Sequence, residues 1–160
     1  GFGFDFNANT ETSTGTMVSE VFDCYEEGTF TPTFNDNSDN DSESQTYYAQ
    51  VGFYTRIGNR VFFNLLININ SLGTLTAGES VKVAGLPFTS SSTSNSHSSI
   101  AIGSASSLLI VASESVTGSV GTNVDYIRVN KFDSSAGTTA LSFTELSDGA
   151  ALYIAGSYMI

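Results

Sequence analysis

The sequence predicts an all-β fold: an antiparallel β-sandwich of jelly-roll type, with one short helix near its start. Three observations lead there. Val, Ile, Thr, Phe and Tyr alternate with Gly, Ser and Asn, and only 13% of the 160 residues are charged, a composition that suits pleated, half-buried surfaces. The stretch from Val51 to Asn70 reads as two strands about a two-residue turn. Around it lie further strand-like segments, about eight to ten in all, at the spacing of sandwiches and jelly rolls.

The hairpin organises the rest. Gly58-Asn59 places Gly at the first central position of a type II′ turn, whose twist matches its flanking strands. After the turn, Val61, Phe63, Leu65, Ile67 and Ile69 share one face. That face must be buried, each large side chain stabilising by roughly 1.5–3 kcal/mol before entropy is counted. The opposite face carries Phe62 and Leu66 among asparagines, a mixed surface suited to partial cover by another subunit.

Ahead of the hairpin, Phe2, Phe4 and Phe6 alternate with Gly and Asp to give a short strand with one aromatic face. It either joins the main core or meets copies of itself. Asn7 to Thr16 is polar and turn-rich. The organisation expected is therefore the end of a shaft strand and linker over 1–16, then a head domain over 17–160. Met17 to Gly28 is the helical candidate, with Val18, Val21, Phe22 and Tyr25 at helical spacing, Gly28 past the end and Pro32 beyond. Asp23, Glu26 and Glu27 form its polar side. Paired carboxylates there would serve glycoside chemistry, but a solvated face is the simpler reading. Cys24 is the one cysteine, so no intrachain disulfide is available, and it reads as a small residue at least half-buried. A nucleophilic role would need a His partner, and the one His, His97, lies in the serine-rich loop Thr89 to Ser99.

Thr29 to Phe34 reads as a strand that Pro32 confines to an edge or a strand start. Asn35 to Gln45 is an acidic loop that fails the EF-hand pattern for want of the turn Gly and closing Glu. It reads as a solvated loop, with calcium in an irregular site as the alternative; no other cofactor is expected. Arg56 and Arg60 flank the hairpin turn and are expected to pair with nearby carboxylates. Glu79 to Ala84 is a strand with Val81 and Val83 inward, and Leu86 and Phe88 plug one end of the core. Ile100 to Gly103 and Leu108 to Ala112 read as strands, the second a continuous apolar run covered on both faces. Ser115 to Asn123 reads as a loop. In the strand Val124 to Phe132, Tyr126 and Arg128 lie opposite Ile127 and Val129. Thr138 to Leu146 follows with Leu141 and Phe143 on one face, then an Asp148-Gly149 turn and a last strand to Ile160.

A formal charge of −11 and a pI near 4.1 argue against nucleic acid, which needs a basic patch, and against anionic membranes. No apolar run is long enough to span a bilayer. The start lacks the basic and apolar regions of a signal peptide, and beginning at Gly1 without Met suggests a fragment or a processed chain.

Several stretches together resemble a family. Phe22-Asp-Cys-Tyr-Glu-Glu-Gly-Thr-Phe-Thr-Pro-Thr-Phe34 is similar to a signature near the start of C-terminal domains in tail fibre and tailspike proteins of tailed bacteriophages. Gln50-Val-Gly-Phe-Tyr-Thr-Arg-Ile-Gly-Asn-Arg-Val61, then Val83-Ala-Gly-Leu-Pro-Phe88, and a closing Ile154-Ala-Gly-Ser-Tyr158 extend the likeness from about residue 20 to the end. Cys24 stands where an acidic residue is common and Phe30 where Trp is common. The resemblance implies a homotrimeric β-sandwich knob at the tip of a virion tail fibre, folded in the host cytoplasm before release. It implies recognition of a bacterial surface polysaccharide or an outer-membrane protein. The signature looks structural, so no catalytic residue is carried over. Sugar contact needs exposed aromatic faces beside polar groups, which nominates the loop-borne Tyr47, Tyr48, Asp39, Asp41 and His97. Tyr126 and Tyr158 join them if their strand faces are exposed. Phe2, Phe4, Phe6, Phe62 and Leu66 are the candidates for the trimer interface. The other function classes are a trimerisation cap without receptor contact and a polysaccharide depolymerase.

Overall fold

In the computed structural model of the chain, which describes residues 4–5, 21–22, 24–36, 43–134 and 137–160, the hairpin is the longest pairing. Strand β5 (Thr46–Ile57) runs into β6 (Arg60–Ser71) through Gly58-Asn59, and Gly58 takes the positive φ (59°) that the turn requires. The alternation of β6 is realised as expected. Val61, Phe63, Leu65, Ile67 and Ile69 are all buried, while Phe62, Asn64 and Asn70 are exposed.

The remaining elements are β1 (Phe4–Asp5), β2 (Val21–Phe22), β3 (Glu26–Phe30), β4 (Thr33–Asn35), β7 (Lys82–Ala84), β8 (Ser98–Leu108), β9 (Ser115–Val120), β10 (Tyr126–Ser134), β11 (Gly137–Ala140) and β12 (Leu146–Met159), with one 3-10 turn at Phe143–Glu145. Strands β1 and β2 pair with each other, Phe4 opposite Phe22. The other ten form one antiparallel sheet in the order β3-β5-β6-β12-β8-β9-β10-β7-β4, with β11 added on β10. The pattern of short strands suggested two stacked sheets. The strands instead hydrogen-bond into one curled sheet, a half-barrel.

The curl follows from connectivity. β3 and β4 lie at opposite ends of the order, yet only Thr31 and Pro32 separate them along the chain. Pro32 supplies no N–H, so a ladder cannot run through it, and the expected single strand Thr29 to Phe34 divides there. The corner brings the two ends of the sheet together. Gln50 Nε2 donates to the Pro32 carbonyl at 2.8 Å, the Phe34 N–H donates to the Tyr47 phenol at 2.8 Å, and the Phe34 and Tyr47 rings stack at 6.3 Å. Inside the curl, the buried face of β6 meets Val81, Val83, Ile127, Val129 and Leu141 in one apolar core.

Five further expectations are corrected. The helix over Met17 to Gly28 is absent from its described part: Val21–Phe22 and Glu26–Phe30 are strands. Two or three helical turns are marginal alone. Pairing with β5 offers the same backbone a ladder plus burial of aromatic rings, with Gly28 opposite Tyr54 and Phe30 opposite Gly52. Cys24 is exposed with φ 52° between the two strands rather than at least half-buried. The apolar run Leu108 to Ala112 is not a strand covered on both faces: β8 ends at Leu108, Leu108 and Ile110 pack against the core, and Leu109 and Val111 are exposed. Ser115 to Val120, expected as loop, is β9, and Asp148-Gly149 is no hairpin turn. It sits inside β12, where Gly149 at φ 83° accommodates the register break between Leu146 and Ala151.

Candidate functional site

The curled sheet has two differently built outer surfaces. Over β5, β6 and β12 the outward residues fall in cross-strand rows. Val51, Leu66 and Tyr153 form one; Phe53, Asn64 and Ala155 the next; Thr55, Phe62 and Ser157 the third. Phe53, Phe62 and Tyr153 are each about half exposed, at 51, 46 and 52%, with Val51 beside them at 43%. Phe53 and Phe62 border a shallow hollow of about 190 Å³. A contiguous apolar surface of this kind on a sheet face marks an interaction site more often than scattered single side chains do.

Over β4, β7, β10 and β9 the outer surface is polar and cationic. The alternation that buries Val81, Val83, Ile127 and Val129 turns Lys82, Tyr126 and Arg128 outward. Antiparallel pairing then sets Asn35, Lys82, Arg128 and Ser119 in one row across four neighbouring strands, and Thr33, Ala84 and Tyr126 in the next. The Lys82 ammonium lies over the Tyr126 ring, 4.8 Å from its centroid. Tyr126 borders two hollows. One of about 400 Å³ holds Lys82, Asn35 and Asp125; the other, of about 220 Å³, is lined by His97, Arg128, Ser119 and Thr122.

The residues nominated from sequence separate accordingly. Tyr126 and His97 share a hollow. Tyr48 is 70% exposed, at the irregularity where β5 slips register against β6. Tyr47, one residue earlier, turns inward to the Phe34 seam, and burial pushes its phenol pKa up. Tyr158 is fully buried, so it leaves the ligand set. Its hydroxyl donates to the Phe88 carbonyl at 2.9 Å, and burial raises it to about 12. Asp39 and Asp41 lie outside the described residues, between the buried Asp36 and Glu43. Phe62 and Leu66 lie on the apolar outer surface; Phe4 is in β1, and Phe2 and Phe6 lie outside the described residues. Arg56 and Arg60, expected to pair with carboxylates, bond instead to the Gly58 carbonyl (2.9 Å) and the Ser157 hydroxyl (2.9 Å). Sequence reasoning passed over Lys82 and Arg128 as ligand groups, although their outward parity was readable.

The ion pairs among the described residues all belong to Lys131, which meets Glu145 at 2.5 Å, Glu114 at 2.9 Å and Asp133 at 4.0 Å. The hydrogen bonds that the Lys131 ammonium donates to Glu145 and Glu114 raise its pKa. Burial works to raise the Glu145 pKa, but the bonds from Lys131 and the Ser142 N–H outweigh it and the net shift is downward. Beside this cluster β8 and β9 part company. Their ladder stops at Ile100 opposite Gly118, and a cleft of about 460 Å³ opens between Ser104, Ser106, Glu114 and Ser115.

No protein-family model matches the sequence, and no curated protein matches it significantly. Among solved structures, the chain is similar to the crystal structure of the Dettilon tailspike protein (gp208), with a TM-score of 0.70 and 19% sequence identity. The likeness covers 84% of this chain and 24% of the tailspike chain. At that identity it shows a shared fold. No helix among the described residues is long and apolar enough to cross a membrane.

Proposed function

We propose that the chain is a receptor-binding domain of a tailed-phage tail fibre or tailspike, located at the tip of the virion tail. In this reading three copies assemble through the apolar outer surface around Phe62 and Leu66. The polar outer surface is left to meet bacterial surface polysaccharide, with an outer-membrane protein as the other class of receptor. The observation that carries it is the tailspike-like fold over most of the chain, together with two outer surfaces of opposite character. The tail-protein signature between Phe22 and Phe34 supports the same assignment, and threefold closure supplies cover for a heterologous apolar contact.

The domain binds and does not cleave in this reading. Cosedimentation of the labelled chain with a panel of intact bacteria tests it: the chain partitions with at least one strain, and no reducing ends appear in the supernatant. Retention by no strain removes receptor binding. Reducing-end release would make the domain a depolymerase. The apolar surface equally favours a trimerisation cap, and the same assay separates the two, because a cap trimerises and binds no cell.

A further inference from the structure

We propose that the outer surface around Tyr126, Arg128 and Lys82 is a subsite for an acidic saccharide, with a sugar ring against Tyr126 and its carboxylate on Arg128. This names the ligand class of the polar surface and rests on the reading of the domain as a glycan-binding module.

The first argument is an electrostatic cost. Lys82 and Arg128 are direct partners in the β7–β10 ladder and point to the same side. Like charges opposite each other in a ladder are destabilising. The chain has only five Lys and Arg against sixteen Asp and Glu, so acidic neighbours are plentiful. Yet the ion pairs among the described residues all go to Lys131. Lys82 is partly offset by the Tyr126 ring, and Asp125 lines its hollow. Among the described residues Arg128 has no such compensation: those lining the hollow it shares with His97, Ser119 and Thr122 include no carboxylate. The uncompensated charge therefore concentrates there, in a protein whose overall charge repels anions. At physiological salt the distant acids are screened beyond about 8 Å, so the local cations decide what binds.

The second argument is shape. About 220 Å³ is less than a drug-sized pocket of roughly 300–1,000 Å³, and fits one sugar unit of a longer chain. The larger hollow across Tyr126 gives the chain room to continue. A guanidinium fork grips a carboxylate in two parallel bonds, while the Ser119 and Thr122 hydroxyls face the sugar hydroxyls.

The test is isothermal titration of the whole chain with oligogalacturonate, against neutral dextran oligosaccharides of the same length. The expected result is binding of the acidic oligomer alone, weakened by added salt. Arg128→Ala raises its Kd about 10- to 100-fold, as loss of a charge-assisted pair implies. Lys82→Ala weakens it less. Both variants melt at or above the wild-type temperature because the like-charge pair is relieved, a readout that separates ligand binding from a structural role. Failure of the wild type to bind oligogalacturonate, equal binding of dextran, or an unchanged Kd in Arg128→Ala would each overturn the proposal. If the wild type still cosediments with bacteria in those cases, only this subsite falls; if it sediments with none, the module reading falls on its own.

Discussion

The Tyr47 phenol accepts the Phe34 N–H at 2.8 Å, so side chains close the edge of β4 where no further strand of the described residues pairs. Gln45 Nε2 donates to the Phe34 carbonyl at 3.2 Å, and Gln50 holds Pro32 beside it. An open strand edge is a template for unwanted pairing, and these three residues of the β5 region cover it. Tyr47→Phe keeps the ring against Phe34 but strands the buried N–H, at a cost of about 1–3 kcal/mol. Thermal unfolding is expected to fall by about 2–4 °C for each kcal/mol, with receptor binding unchanged. A loss of binding without a loss of stability would return Tyr47 to the ligand site.

Two glycines of the β3–β5 ladder are seats for aromatic rings. A Cβ at Gly52 would lie 2.6 Å from the Phe30 ring, and one at Gly28 would lie 2.6 Å from Tyr54. Phe30 also meets Phe63 edge-on at 6.4 Å, so it has little room to retreat. Gly52→Ala is expected to destabilise by about 1–3 kcal/mol, as overpacking does, and chemical denaturation measures it. A neutral outcome would mean that β3 is not anchored through Phe30.

The cluster at Lys131 sets a pH dependence. The Glu145 pKa is lowered from its ordinary 4.5, so its contribution is present above that pH and is lost as pH falls through the lower folded value. The Lys131 pKa is raised from 10.5, so its contribution is present below that pH and is lost as pH rises through the higher folded value. Melting temperature is expected to be flat between these limits and to drop outside them. Lys131→Met leaves Glu114, Asp133 and Glu145 without their cation. It lowers the neutral-pH plateau, and the acid-side decline flattens because Glu145 loses the Lys131 bond and charge that favour its ionised form. An acid limb of unchanged slope in the variant would place the titrating groups elsewhere.

How legible this was in the sequence varies by element. The buried face of β6 is plain because its alternation runs unbroken from Val61 to Ile69. Outward placement of Tyr126, Arg128 and Lys82 is equally plain beside Ile127, Val129, Val81 and Val83. What makes them one surface is the β7–β10 ladder, a pairing between distant segments that no local period encodes. Tyr47 and Tyr48 look alike in the sequence, as loop residues ahead of the hairpin; the register slip between them sends one inward and the other to solvent. The helical spacing of Val21, Phe22 and Tyr25 was real but outweighed, because the partner that makes Glu26–Phe30 a strand lies across a ladder in β5.

Phe62 tests the assembly. It is nearly half exposed in the single chain, so Phe62→Asp is expected to leave the protomer's fold intact while disrupting the trimer. Light scattering at micromolar concentration is expected to give about three times 16.9 kDa for the wild type and a smaller mass for the variant. A trimer that survives Phe62→Asp would move the contact off this surface.

The most direct test of the division between the two outer surfaces is hydrogen exchange of the wild-type chain, alone and with the bacterial surface polysaccharide that retains it. The account predicts added protection in β7 and β10, around Lys82 and Tyr126 to Arg128. Protection confined to the β5–β6 surface or to the Tyr48 region, with β7 and β10 unchanged, would contradict it.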